Sequence, residues 1–149
     1  MLMWLVAGGA ASAQTALPAL EPGLWEIVVE TTNPGDFRPT TDRLSRCLRD
    51  GDAALPRRQL PTRYDRETCR VTALRENGAK IVYSLICDQN RITSSGEFTF
   101  ARSAYEGRIL TEPLESEVNG LQIVQQVRAR RMGDCPTPEG AGGGAVQSR

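Results

Sequence analysis

The stretch CRVTALRENGAKIVYSLIC, residues 69–87, begins and ends in cysteine and carries Asn77-Gly78 near its middle. A three-residue loop of Asn77, Gly78 and Ala79 pairs Glu76 with Lys80. It sets Arg75 against Ile81, Ala73 against Tyr83, Val71 against Leu85 and Cys69 against Cys87. An apolar row then falls on one face, and the cysteines stand opposite each other. Facing Cβ atoms in an antiparallel ladder lie about 4.5–5.5 Å apart, within disulfide reach after slight adjustment. A two-residue Asn77-Gly78 loop, favoured by tight type I′ turns, shifts the register by one and breaks this match. The agreement of apolar pattern and cysteine spacing favours the longer loop and a staple across a hairpin.

Four cysteines in a chain of 149 residues suit two disulfides if the chain is exported. Residues 1–13, MLMWLVAGGAASA, are uncharged, run apolar through Ala7 and end in Ala11-Ser12-Ala13, which reads as a signal peptide cut before Gln14. The run is too short for a helix spanning a bilayer, which needs about 20 apolar residues, and the rest of the chain offers no membrane span. The expected compartment is therefore the periplasm or the exterior. Eighteen basic residues balance eighteen acidic ones, so no net field favours nucleic acid. Histidine is absent, which removes the commonest metal ligand and the commonest general base. The cysteines are 22, 18 and 48 positions apart, unlike the close pairs of a zinc site, and no C-x-x-C redox motif occurs.

Beyond a linker at 14–22, GLWEIVVETT alternates Trp25, Ile27 and Val29 with Glu26, Val28 and Glu30, the pattern of a half-buried strand. Asn33-Pro34-Gly35-Asp36 ends it as a turn. Residues 37–66 are rich in Arg and Pro and read as an irregular arm lying over the sheet, with one helical turn near Asp50–Leu55 stopped by Pro56. In a second hairpin Phe100 faces Tyr105 and Phe98 faces Gly107, an aromatic ring over a strand glycine. Leu121, Ile123, Val127 and Ala129 mark a long last strand in which Gln125 and Val124 break the alternation. The Gly/Pro-rich residues 136–149 read as a disordered tail. The fold expected for residues 23–135 is one all-β domain: an antiparallel meander of about six strands, disulfide-stapled and curled into a half-barrel or barrel closed by the arm.

PGLWEI, a cysteine some twenty residues on, the Cys69-to-Cys87 hairpin, Phe98 to Gly107 and RARRMGDC occur in that order. Over residues 22–135 this pattern resembles the family catalogued as domain of unknown function 3617, small exported proteins of Gram-negative bacteria with four cysteines. Around Cys47, CLRDGDAA replaces the family's more usual run. The resemblance implies the compartment, the fold and the four cysteines, and no catalytic residue. If Cys69 pairs with Cys87, the second bond joins Cys47 to Cys135, one of three possible connectivities.

No catalytic site, metal or cofactor is expected. The acidic pairs Glu97 with Glu106 and Asp65 with Glu67 read as solvated carboxylates, and Glu112, Glu115 and Glu117 as a polar connection. Two candidate surfaces stand out. Trp25, Tyr83, Phe98, Phe100 and Tyr105 could line a cleft for a small apolar or amphiphilic ligand, against the plainer reading of a filled core. Arg57, Arg58, Arg63 and Arg66 form a basic cluster able to hold an anion or an acidic partner, against that of a solvated loop. The expected protein is a non-enzymatic binding module of the cell envelope, or alternatively a structural module that touches an envelope protein.

Overall fold

The computed structural model describes residues 16–53, 55–115 and 121–137. The expected signal peptide, most of the tail and Glu117 lie outside them. The main elements are β1 (Gly23–Thr32), β2 (Thr40–Leu48), α1 (Asp50–Ala53), β3 (Arg63–Tyr64), β4 (Glu67–Thr68), β5 (Arg70–Asn77), β6 (Lys80–Cys87), β7 (Ile92–Phe100), β8 (Ala104–Pro113) and β9 (Ile123–Gly133). A single 3₁₀ turn covers Pro56–Gln59.

Seven strands form one antiparallel sheet in the order β2-β1-β9-β8-β7-β6-β5, and β3 with β4 makes a separate two-stranded ribbon. The meander runs from β5 to β9, after which β1 docks on β9 and carries β2 outward. The sheet does not close into a barrel, because β2 and β5 end the order on opposite sides and do not pair. The 37–66 segment is also less irregular than expected, since residues 40–48 are a strand in full register with β1. That strand, TTDRLSRCL, is exposed from Thr40 to Arg46. An edge strand with no buried row leaves no apolar period for sequence reading to find.

The opening hairpin follows a third register. Asn77 faces Lys80, so Gly78 and Ala79 form the turn, with Gly78 at φ +59°. Positive φ at the first central residue but not at the second is the mark of a type II′ turn. Leu74 therefore takes the place opposite Tyr83 that Ala73 was expected to hold, and a bulge at Thr72 returns the ladder to Val71 opposite Leu85. The cysteine pair arrives at the expected alignment by way of this irregularity. The disulfides are Cys69–Cys87 and Cys47–Cys135, with Cα separations of 4.5 and 5.5 Å. The apolar row on β5 buries nothing, because all eight of its residues are exposed.

One face of the sheet carries the core. Trp25, Ile27, Val127, Ala129, Tyr105, Ile109, Phe98, Phe100, Ile81, Tyr83 and Leu85 pack together, roofed by Leu20 before β1 and by Leu48 and Leu60 of the arm. The linker at 14–22 is thus pinned over its latter half: the Glu21 N–H donates to the Arg102 carbonyl at 2.8 Å, and Arg131 Nε donates to the Pro22 carbonyl at 2.7 Å. Fully burying each large side chain contributes about 1.5–3 kcal/mol, which outweighs any single surface ion pair here. The two stretches that looked most like the family meet in space. A Cβ on Gly23 would lie 2.3 Å from the Gly133 carbonyl oxygen, so only glycine permits this approach of β1 to the end of β9.

Candidate functional site

The five aromatics are brought together, as core. Trp25, Tyr83, Phe98, Phe100 and Tyr105 are at most 6 % exposed. Trp25 stacks on Tyr105 at 5.7 Å between centroids, Phe100 lies 5.4 Å from Tyr105, and Phe98 lies 6.2 Å from both Phe100 and Tyr83. These are ordinary spacings for rings packed on one another. Phe98 covers Gly107 as expected, so closely that a Cβ there would lie 2.4 Å from its ring. Tyr83 covers Gly96 in the same way, across the β6–β7 pairing.

The polar ends of Trp25 and Tyr83 are spoken for. Trp25 Nε1 donates to the Glu21 carbonyl at 3.0 Å, and the Tyr83 hydroxyl donates to the Pro61 carbonyl at 3.3 Å. Burial pushes the Tyr83 phenol well above its ordinary value and raises Tyr105 to about 12, with Arg46 pulling Tyr105 slightly back. Neither phenol is poised to move a proton near neutrality.

The arginine cluster is divided. Arg57 and Arg58 sit on the 3₁₀ turn, whereas Arg63 opens β3 and Arg66 lies in the β3–β4 turn. Arg57 is paired with Glu76 of β5, which holds the guanidinium pKa above its usual value. Arg63 and Arg66 are exposed. Beside them Glu67 has a structural duty. Its carboxylate accepts from the Gln89 and Asn90 backbone N–H groups at 3.0 and 3.1 Å and from Asn90 Nδ2 at 2.9 Å. The Gln89 N–H does most to hold this carboxyl below its ordinary value. Glu67 therefore ties the ribbon to the β6–β7 turn.

The other face of the sheet carries an open depression of about 650 Å³, lined by Glu97, Thr99, Glu106, Arg108, Gln126 and Arg128 among others. Its charges alternate across the strands: Glu97 faces Arg108, and Glu106 faces Arg128. Glu97 also binds Lys80 Nζ at 2.7 Å. Glu97 and Glu106 lie diagonal to each other and are exposed, as expected of solvated carboxylates, and this balanced array concentrates no charge of one sign. The remaining open features are the strand edges. Among the described residues, β2 and β5 each have a neighbour on one side only. Sequence reading missed the β2 edge, because its residues carry no burial signal.

These observations define a class: a small all-β domain, built on one open antiparallel sheet and braced by two disulfides near its opposite edges. The pattern that unites the family described as Protein of unknown function (DUF3617) matches residues 20–135, and the chain belongs to that family. No curated protein and no solved structure matches it. Among the described residues, no helix is long and apolar enough to cross a membrane.

Proposed function

We propose that this protein is an exported, non-enzymatic interaction module of the bacterial envelope that works through the edges of its sheet. One observation carries the choice over a ligand-binding module: the five aromatics suited to line an apolar cleft are shut into the core, while among the described residues each outer strand has one side without a paired neighbour. Unpaired strand edges are ready templates for another chain. Export is supported by the leader-like first thirteen residues and by two disulfides, which persist in oxidising compartments.

Native mass spectrometry of the periplasmic fraction, after expression with the chain's own leader in a Gram-negative host, tests this reading. A chain beginning at Gln14, lighter by two hydrogens per disulfide and free of small molecules, is the expected result. A retained apolar small molecule would return the function to ligand binding. A chain that keeps Met1 and four free thiols would overturn export.

A further inference from the structure

The β2 edge fits one partner in particular. Its nine residues pair with β1 without a bulge, so the free side is straight and offers main-chain donors and acceptors along its length. Asp42, Leu44 and Arg46 face Val29, Ile27 and Trp25 of β1 and so share the core face of the sheet, beyond the point where the core ends. Leu44 is 46 % exposed, and Asp42 and Arg46 are exposed and form no ion pair among the described residues.

We infer that β2 is the interface of a symmetric dimer, in which it pairs antiparallel with β2 of a second copy about a two-fold axis through Leu44. The inference rests on the interaction reading above and supplies its partner. In this register Asp42 faces Arg46 of the second copy, Arg46 faces its Asp42, and Leu44 meets Leu44 between the two ion pairs. Arg43 faces Ser45 on the other side of the strand. A self-complementary patch of this kind is what two-fold symmetry requires.

The neighbouring registers fail. Only alternate residues of β2 turn their N–H and C=O groups outward, so a two-fold pairing can slide only in steps that keep those residues matched. One step in one direction puts Arg43 against its own copy and Asp42 against Leu44. One step in the other puts Leu44 against Arg46 and strands Asp42 opposite Leu48. The sequence TTDRLSRCL thus selects one register by charge, and the two seven-stranded sheets become continuous.

Two joined strand edges bury less than a standard protein interface, so the dimer is concentration-dependent rather than permanent. Sedimentation of the oxidised chain between about 1 μM and 1 mM, a span in which free energies of association of roughly −8 to −4 kcal/mol are read, tests it. The unmodified chain shifts from one chain mass to two. Asp42→Arg faces Arg46 with a like charge twice per dimer and weakens association about tenfold or more. Arg46→Asp does the same, and the double change Asp42→Arg with Arg46→Asp restores association. Both sites are solvent-exposed in the monomer, and intact disulfides with an unchanged circular dichroism spectrum show that the variants fold. A chain monomeric throughout the range overturns the dimer, as do single changes without effect or a double change that fails to rescue. A monomer free of small molecules defeats the dimer alone and leaves the broader interaction reading standing, whereas a retained apolar molecule defeats that reading itself.

Discussion

The two ends of the sheet are built differently. β5 is bulged at Thr72, tied to its neighbour by Cys69–Cys87 and approached by the arm through Arg57 and Glu76. β2 has no bulge, pairs continuously with β1 and is anchored at its last residues by Cys47–Cys135. Bulges and charged side chains are the usual devices that stop an edge from pairing with another chain. Both edges carry charges, Arg43 of β2 reaching Glu26 of β1, but only β5 is also bulged. The difference teaches that an edge can be left open at one side of a sheet when its charges specify who can join it.

The disulfides give the largest test of this contrast. Cys47–Cys135 joins residues 88 apart and Cys69–Cys87 residues 18 apart. In the chain-entropy account the first contributes about 4 to 5 kcal/mol and the second about 3. Replacing Cys47 and Cys135 by serine should therefore lower unfolding stability in urea more than replacing Cys69 and Cys87. The reverse order would mean that the β5 end, not the β2 end, depends more on its staple.

Between the edges the aromatic floor is shared, and Gly107→Ala probes it. The new methyl must displace the Phe98 ring, at a cost of about 1–3 kcal/mol. A loss of that order in unfolding free energy, read from urea titration, is expected, and no loss would mean that the ring can turn aside freely. Deleting Thr72 removes the bulge while keeping Val71 opposite Leu85 and Cys69 opposite Cys87. Little stability is lost, but β5 becomes a straight edge, and light scattering should show new self-association that changes at Asp42 do not abolish. If scattering stays flat, the bulge is not what guards β5.

The smallest effect belongs to Glu67. Its folded carboxyl titrates below the ordinary value of 4.5, so its contribution is present above that value and lost as pH falls through the lower folded one. Amide exchange at Gln89 and Asn90 should rise across that acid range, and Glu67→Gln should remove the pH dependence of those two amides. Unchanged protection in the variant would assign the turn's order to other contacts.

Legibility followed burial. Phe98 over Gly107 and Phe100 against Tyr105 were readable, because β7 and β8 alternate cleanly and a short loop sets their register. The β5–β6 register was readable at the cysteines and wrong at the turn, where Gly78 adopts a tighter bend and Thr72 absorbs the extra residue. The aromatics were legible as a group, but whether they lined a cleft or filled a core depended on Leu20, Leu48 and Leu60 reaching over them from distant segments. The arginines were legible as a run and not as a patch, since Arg57 found Glu76 across the fold.

Sequence alone determined the all-β class, the strands with a buried row and the staple between Cys69 and Cys87, because alternation and short loops are local properties. Tertiary structure decided that β1 lies between β2 and β9, that the sheet stays open, and that Tyr83 roofs Gly96. It also made TTDRLSRCL a strand. Pairings between residues as far apart as Glu26 and Arg130 depend on which buried faces can be covered together, and no local pattern carries that information. From Thr40 to Arg46 this edge strand is exposed on both faces and follows the hydrogen bonds of β1, so it becomes visible only once that neighbour is in place.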